Sequence, residues 1–169
     1  MHAALSPRLW KWINGLGLGG LLPFFALAAL SVAGIAPEHQ VMAEDWIYVY
    51  GLSIVSFVGA VSFGLALADS HADEGLRVKW LVWSVCPSLL ACAVLFLPAW
   101  CRPFALGLIA IAALAMDYLL QGALADAKPW LRLRTVLTTG AVLSLWTVSA
   151  CGIYRLMQAH SWEMMLKAG

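Results

Sequence analysis

Pro103-Phe-Ala-Leu-Gly-Leu-Ile-Ala-Ile-Ala-Ala-Leu-Ala-Met-Asp117-Tyr-Leu-Leu-Gln-Gly-Ala-Leu124 decides the fold. Apolar and polar residues do not alternate in it, so it is not a strand of a membrane barrel. It exceeds the roughly 18 residues that mark a spanning helix, because about 20 residues at 1.5 Å rise cross a hydrocarbon core of about 30 Å. One carboxylate, Asp117, interrupts it. A charge at a helix centre costs roughly 2.5–3.5 kcal/mol on insertion scales, so such a group tends to have a partner or a purpose.

Four more runs of this kind flank it: Ile13–Ala36, Trp46–Ala68, Trp80–Leu97 and Leu131–Met157. Hydrophobic residues make up 63% of the 169 residues and charged ones 11%, against about 25% charged in an ordinary soluble domain. Mean hydropathy is +0.85. These values predict an all-α, polytopic membrane protein: five transmembrane helices in one bundle, forming a single domain over residues 1–169. The first run follows Arg8 and Lys11 and carries Gly34 and Ala36 as a small pair, as a signal peptide would. It is too long for a signal core of about 7–15 residues, and Pro37 would follow the cut, so it reads as a permanent helix. Nothing upstream resembles a transit peptide, which points to a bacterial inner membrane.

Charge placement sets the expected orientation, since Lys and Arg accumulate on the cytoplasmic side. Arg8, Lys11, Arg77, Lys79, Lys128, Arg132 and Arg134 fall on one side, and Arg102, Arg155 and Lys167 on the other. The first loop carries Glu38, Glu44 and Asp45 and no cation. The N-terminus is therefore expected inside and the C-terminus outside. The cations are scattered over helix ends, which gives no nucleic-acid surface. Pro37 is expected to end the first helix, Pro98 the third, and Pro103 to open the fourth. Eight of the nine tryptophans lie near run ends, where indole suits the headgroup region.

Small residues suggest how the helices pack. Ser56, Ala60, Gly64 and Ala68 recur every four residues on the second run, Ser84, Ser88 and Cys92 on the third around Pro87, and Gly15 and Gly19 mark the first. Rows of this kind let backbones approach closely. The alternative is a polar path lined by Ser53, Ser56, Ser62, Ser84 and Ser88. Gly15, Gly17 and Gly20 match a dinucleotide fingerprint, but that motif needs a strand before it and here lies inside a spanning run.

Asp117 lies about 14 residues into the fourth run, roughly 20 Å deep at 1.5 Å per residue. Under the expected topology that is near the cytoplasmic face, where the fifth run starts with Arg132 and Arg134. Gln121 lies one turn along from Asp117. An intramembrane ion pair of Asp117 with Arg132 or Arg134 would let both charges stay in the bundle and fix helix four against helix five. A proton or substrate site at Asp117 is the alternative. Cys86, Cys92, Cys101 and Cys151 form no C-x-x-C spacing, and a Cys101–Cys151 disulfide is conceivable on the outer side. His2, His39, His71 and His160 lie outside the runs, and Asp69, His71, Asp73 and Glu74 read as a solvated loop. No metal, cofactor or catalytic set is called for.

Three blocks, Tyr50-Gly-Leu-Ser-Ile-Val-Ser-Phe-Val-Gly59 with Gly64-Leu-Ala-Leu67, Trp83-Ser-Val-Cys-Pro-Ser-Leu-Leu90, and Pro129-Trp-Leu-Arg-Leu-Arg134 with Thr135 and Thr138, stand in that order. Together they resemble the domain-of-unknown-function 3429 family, whose eukaryotic relatives are called transmembrane protein 69. The resemblance runs from about Gly15 to Leu145 and implies a five-helix inner-membrane protein without an assigned activity. Asp117 and the Leu-Arg-Leu-Arg segment match its pattern. Ser62-Phe63 departs from it, where relatives show a polar or basic residue followed by Trp. The tryptophan-rich sensory or translocator proteins share only helix count, length and tryptophan content. The expected role is an accessory, assembly or helix-packing protein, partnered by lipid and by another membrane protein or a second copy. A carrier using Asp117 comes next, and an enzyme acting on lipid or quinone last.

Overall fold

The computed structural model describes residues 6–34, 37–68, 73–121 and 128–168. Among these the chain is helical, with no strand. The helices are α1 (Pro7–Gly19), α2 (Leu22–Ala33), α3 (Pro37–Ala68), α4 (Glu74–Ala93), α5 (Arg102–Gln121) and α6 (Lys128–Ala168), with two short 3-10 turns between α4 and α5. Taking α1 and α2 as one span, five segments are long and apolar enough to cross a membrane.

The helices outrun the apolar runs. α3 begins at Pro37 rather than at Trp46, α4 at Glu74 rather than Trp80, and α6 extends to Ala168 rather than Met157. Hydropathy registers only the part of a helix that lipid solvates, whereas backbone hydrogen bonding continues through the polar ends into water. The expected first and fourth boundaries at Ala36 and Leu124 lie outside the described residues. Pro37 opens α3, where its missing N–H costs nothing. The stop for α2 is Gly34, whose φ of 60° is the left-handed conformation that ends helices.

The first span is two helices, contrary to the single one expected. Pro23 has no N–H to give the Gly19 carbonyl. The chain tightens there: the Gly20 amide donates to the Leu16 and Gly17 carbonyls and the Leu21 amide to Leu18, each at 3.0 Å. The Gly20 carbonyl is taken by the Tyr50 hydroxyl at 2.8 Å, and the Tyr50 ring meets Phe24 edge-on at 5.0 Å. A backbone carbonyl left bare in hydrocarbon costs several kcal/mol, so Tyr50 on α3 makes the break tolerable.

α3 and α6 form the centre. α4 lies along α3, α5 lies on α6 and α3, and α2 packs across both, while α1 rests on α6 with little contact to α3. The core gathers Phe24, Ile47, Val55, Leu106, Leu145 and Val148. Large apolar side chains such as Leu16, Phe57, Phe96 and Leu119 point outward. In water such a surface would be an aggregation hazard, and in a bilayer it is the lipid-facing skin.

The tightest helix contact uses a row beside the expected one. A methyl group on Gly59 would strike the Ser84 carbonyl oxygen, so α3 and α4 touch backbone to backbone beside Pro87. The buried row on α3 is Val55, Gly59, Ser62 and Ala66. Ser56 is half-buried, Ala60 and Gly64 are exposed, and Gly64 has nothing within 4 Å of a built methyl. Ser84 is buried and Ser88 half-buried, whereas a methyl built on Gly15 or Gly19 of α1 meets nothing within 4 Å. Four-residue spacing identified a smooth face but left open which of two adjacent rows turns inward.

Candidate functional site

α5 and α6 run side by side, and where they meet Arg134 Nε donates to Asp117 Oδ2 at 2.9 Å. Both side chains are buried, at 4% exposure for Asp117 and 7% for Arg134. Arg134 Nη1 also reaches Thr138 Oγ1 at 3.3 Å, one turn further along α6. Beside this group Tyr118 and Thr135 share a hydrogen bond of 2.8 Å, and the Thr135 hydroxyl is also within 2.8 Å of the Leu131 carbonyl. The helical period explains the selection: Arg134, Thr138, Ala141 and Leu145 follow one another at three or four residues and share one face. Arg132, two positions from Arg134, is exposed and borders a shallow surface hollow with Trp10 and Asn14. Asp117 and Arg134 come together and Arg132 does not join them. Gln121 ends α5, one turn beyond Asp117.

A cavity of about 370 Å³ adjoins the cluster. Its walls come from α1 and α2 at the break (Gly17, Gly20, Phe24), from α3 (Ile54, Val58), from α5 and from α6. Arg134, Thr138 and Trp130 are the lining side chains that carry a polar atom. Leu16 and Phe57 also line it and are 72% and 67% exposed, so the mouth lies between α1 and α3, on the surface the apolar skin covers. The break in the first span creates this opening, because α1 leans on α6 and leaves α3 uncovered.

A second ion pair, Arg155 Nη2 with Glu44 Oε1, ties α6 to α3 at the opposite end of the bundle. Glu44 belongs to α3, although its position before the apolar run had made it a loop residue, and it is buried at 8% side-chain exposure. A signal for this was available: Glu44 precedes Ile47 by three residues and Tyr48 by four, which puts it on the buried stripe of a longer helix. Arg134 and Arg155 are separated along α6 by roughly 31 Å at 1.5 Å per residue, about the thickness of a hydrocarbon core.

The remaining polar groups serve local structure. Ser53 donates to the Tyr50 carbonyl and Ser84 to Leu81, both at 2.7 Å, so neither hydroxyl is offered to a path. Ser62 is buried with no hydrogen-bond partner among the described residues. Arg77 Nε caps α3 at the Ala66 carbonyl, and Arg102 caps the 3-10 turn that follows α4 through the Leu95 and Leu97 carbonyls. The four cysteines are free, including Cys101 and Cys151. Trp80 departs from the interfacial pattern: it is wholly buried. Asp69 and His71 lie outside the described residues, and among the described residues no three His, Cys, Asp or Glu converge.

The fold and this site define an α-helical, multi-pass membrane protein whose central helix is held to its neighbours by two ion pairs, about one membrane thickness apart. A family model described as "Protein of unknown function (DUF3429)" matches residues 8–150, and the chain belongs to that family. No curated protein and no solved structure matches it.

Proposed function

We propose that this protein is a non-enzymatic accessory or assembly factor of a bacterial inner membrane, working through helix contacts with a second copy or another membrane protein. One observation carries the reading. Gly15, Gly19, Ala60 and Gly64, small residues suited to close helix approach, are exposed on outward faces of α1 and α3, and a methyl built on any of the three glycines meets nothing within 4 Å. Without a hydrophobic drive between helices in lipid, such faces associate by backbone proximity and dispersion. The charge distribution supports an N-terminus inside and a C-terminus outside. A carrier reading has less support, because Asp117 is buried against Arg134 and the serines at 53 and 84 bond to their own helices.

The test is the mass of the detergent-purified protein by light scattering, with and without leucine at Ala60 and Gly64. An oligomer or a co-purifying membrane protein lost on that double replacement is the expected result. A monomer that brings down nothing overturns the reading. A C-terminal alkaline phosphatase fusion, active only outside the cytoplasm, checks the orientation and is expected to be active.

A further inference from the structure

We infer that the cavity beside Arg134 is a binding site for a neutral, single-chain lipid whose head is a carbonyl oxygen. This goes beyond the packing role. The space lies at the small end of the range of about 300–1,000 Å³ typical of ligand sites, at about 370 Å³. It extends along α6 from Trp130 to Leu145, roughly 22 Å at 1.5 Å per residue. A volume that small over that length is narrow and admits one extended chain rather than two.

The polar end fixes the head group. Arg134 has five N–H donors, of which Nε is engaged by Asp117 and one on Nη1 by Thr138. The structure gives the others no acceptor among the described residues. The Thr138 hydroxyl accepts from Arg134, and among the described residues its own hydrogen has no acceptor. Trp130 adds an indole N–H, which can only donate. Every polar side chain lining the space therefore still has a donor to offer, against an apolar remainder. Buried donors call for an acceptor. Asp117 already neutralises Arg134, so a second carboxylate or a phosphate would leave a net negative charge in the bundle, whereas a carbonyl oxygen accepts the hydrogen bonds without adding charge. The tail then lies among Gly17, Phe24, Val58 and Leu145, and the mouth between Leu16 and Phe57 admits the molecule sideways from the bilayer.

Two kinds of lipid share this chemistry, a monoacylglycerol ester and a prenylated ring carbonyl, and one experiment separates them. A monoacylglycerol carrying a diazirine in its chain is photolysed with the full-length protein in phosphatidylcholine nanodiscs, and the labelled residues are mapped by mass spectrometry. Leu119, exposed on the lipid-facing side of α5, reports labelling by bulk lipid. Labelling at Leu137 and Val58 above the Leu119 level, displaced by unlabelled monoolein or by a prenylated benzoquinone, is the expected result, and the stronger competitor identifies the source. Ala110→Phe and Val58→Trp fill the space from opposite walls and should each bring Leu137 labelling down to the Leu119 level. Labelling that never exceeds Leu119, or that no competitor displaces, means bulk lipid fills the space and overturns the proposal. Stronger displacement by oleate than by either neutral lipid overturns the assignment of the head group. The competition arms use the unaltered protein and so decide the question even if the filled variants fail to fold.

Discussion

The two ends of α6 solve the same problem with different degrees of burial. Near its start Arg134 and Asp117 are both almost fully enclosed, at 7% and 4% side-chain exposure. Towards the other end Glu44 is equally enclosed, but a quarter of the Arg155 side chain remains accessible. Removing one member of a pair leaves the other charge behind, and the cost depends on whether that charge can reach water or headgroups. An ion pair near a membrane boundary is costly to break where the remaining charge lacks that escape. The pair at the Arg134 end is enclosed on both sides, and it also borders the cavity.

Arg134→Met should have the largest effect. It removes the guanidinium paired with the buried Asp117 carboxylate and is expected to cost about 3–5 kcal/mol, read as a lower midpoint for unfolding in mixed micelles. Replacing Asp117 and Arg134 together with leucine should restore most of that loss, because the pair is then absent rather than broken. A double variant as unstable as the single one would mean that the pair itself, and not the carboxylate that has lost its guanidinium, carries the stability.

Glu44→Leu at the other end leaves Arg155, a quarter of whose side chain is accessible, and is expected to cost about 1–3 kcal/mol, the penalty of leaving a donor unmatched. An equal or larger loss than for Arg134→Met in the same titration would break the contrast between the ends. Between the two pairs, Gly59→Ala should cost about 1–3 kcal/mol through overpacking, since its methyl would strike the Ser84 carbonyl. Gly64→Ala, five residues on with open space around it, should stay within about 0.5 kcal/mol. Measuring the two side by side tests which row of α3 faces α4. Tyr50→Phe removes the hydroxyl that serves Gly20 and should cost about 1–3 kcal/mol, the penalty of leaving that carbonyl without a donor, with faster amide exchange around Gly20 and Leu21 as the local sign. Arg132→Gln is the smallest, expected within about 0.5 kcal/mol.

Much of the candidate site was within reach of the sequence. Asp117 is conspicuous because nothing else in its run is charged, and the next helix supplies arginines at the matching depth. Choosing Arg134 over Arg132 needed the rotation of α6, which depends on the helices around it. Glu44 was harder to see, because hydropathy discounts a charged residue beside an apolar run and so places it in a loop. The break at Gly20 was masked by the strength of the apolar signal, although Pro23 marked it. The cavity was not legible at all, since its walls come from residues more than a hundred positions apart.

Helicity, five segments long and apolar enough to span a membrane, and a lone acid at Asp117 in its run are all legible in the order of residues. These are properties of local composition, and lipid solvation enforces them without reference to neighbouring helices. Which arginine meets Asp117, which row of α3 packs on α4, the burial of Glu44, and the space beside Arg134 where α1 stands away from α3 emerge from the packing of the helices. Each of these turns on the rotation and tilt of one helix against another. Rotating a helix changes which side chains meet while leaving its hydropathy unchanged, so composition carries little information about it.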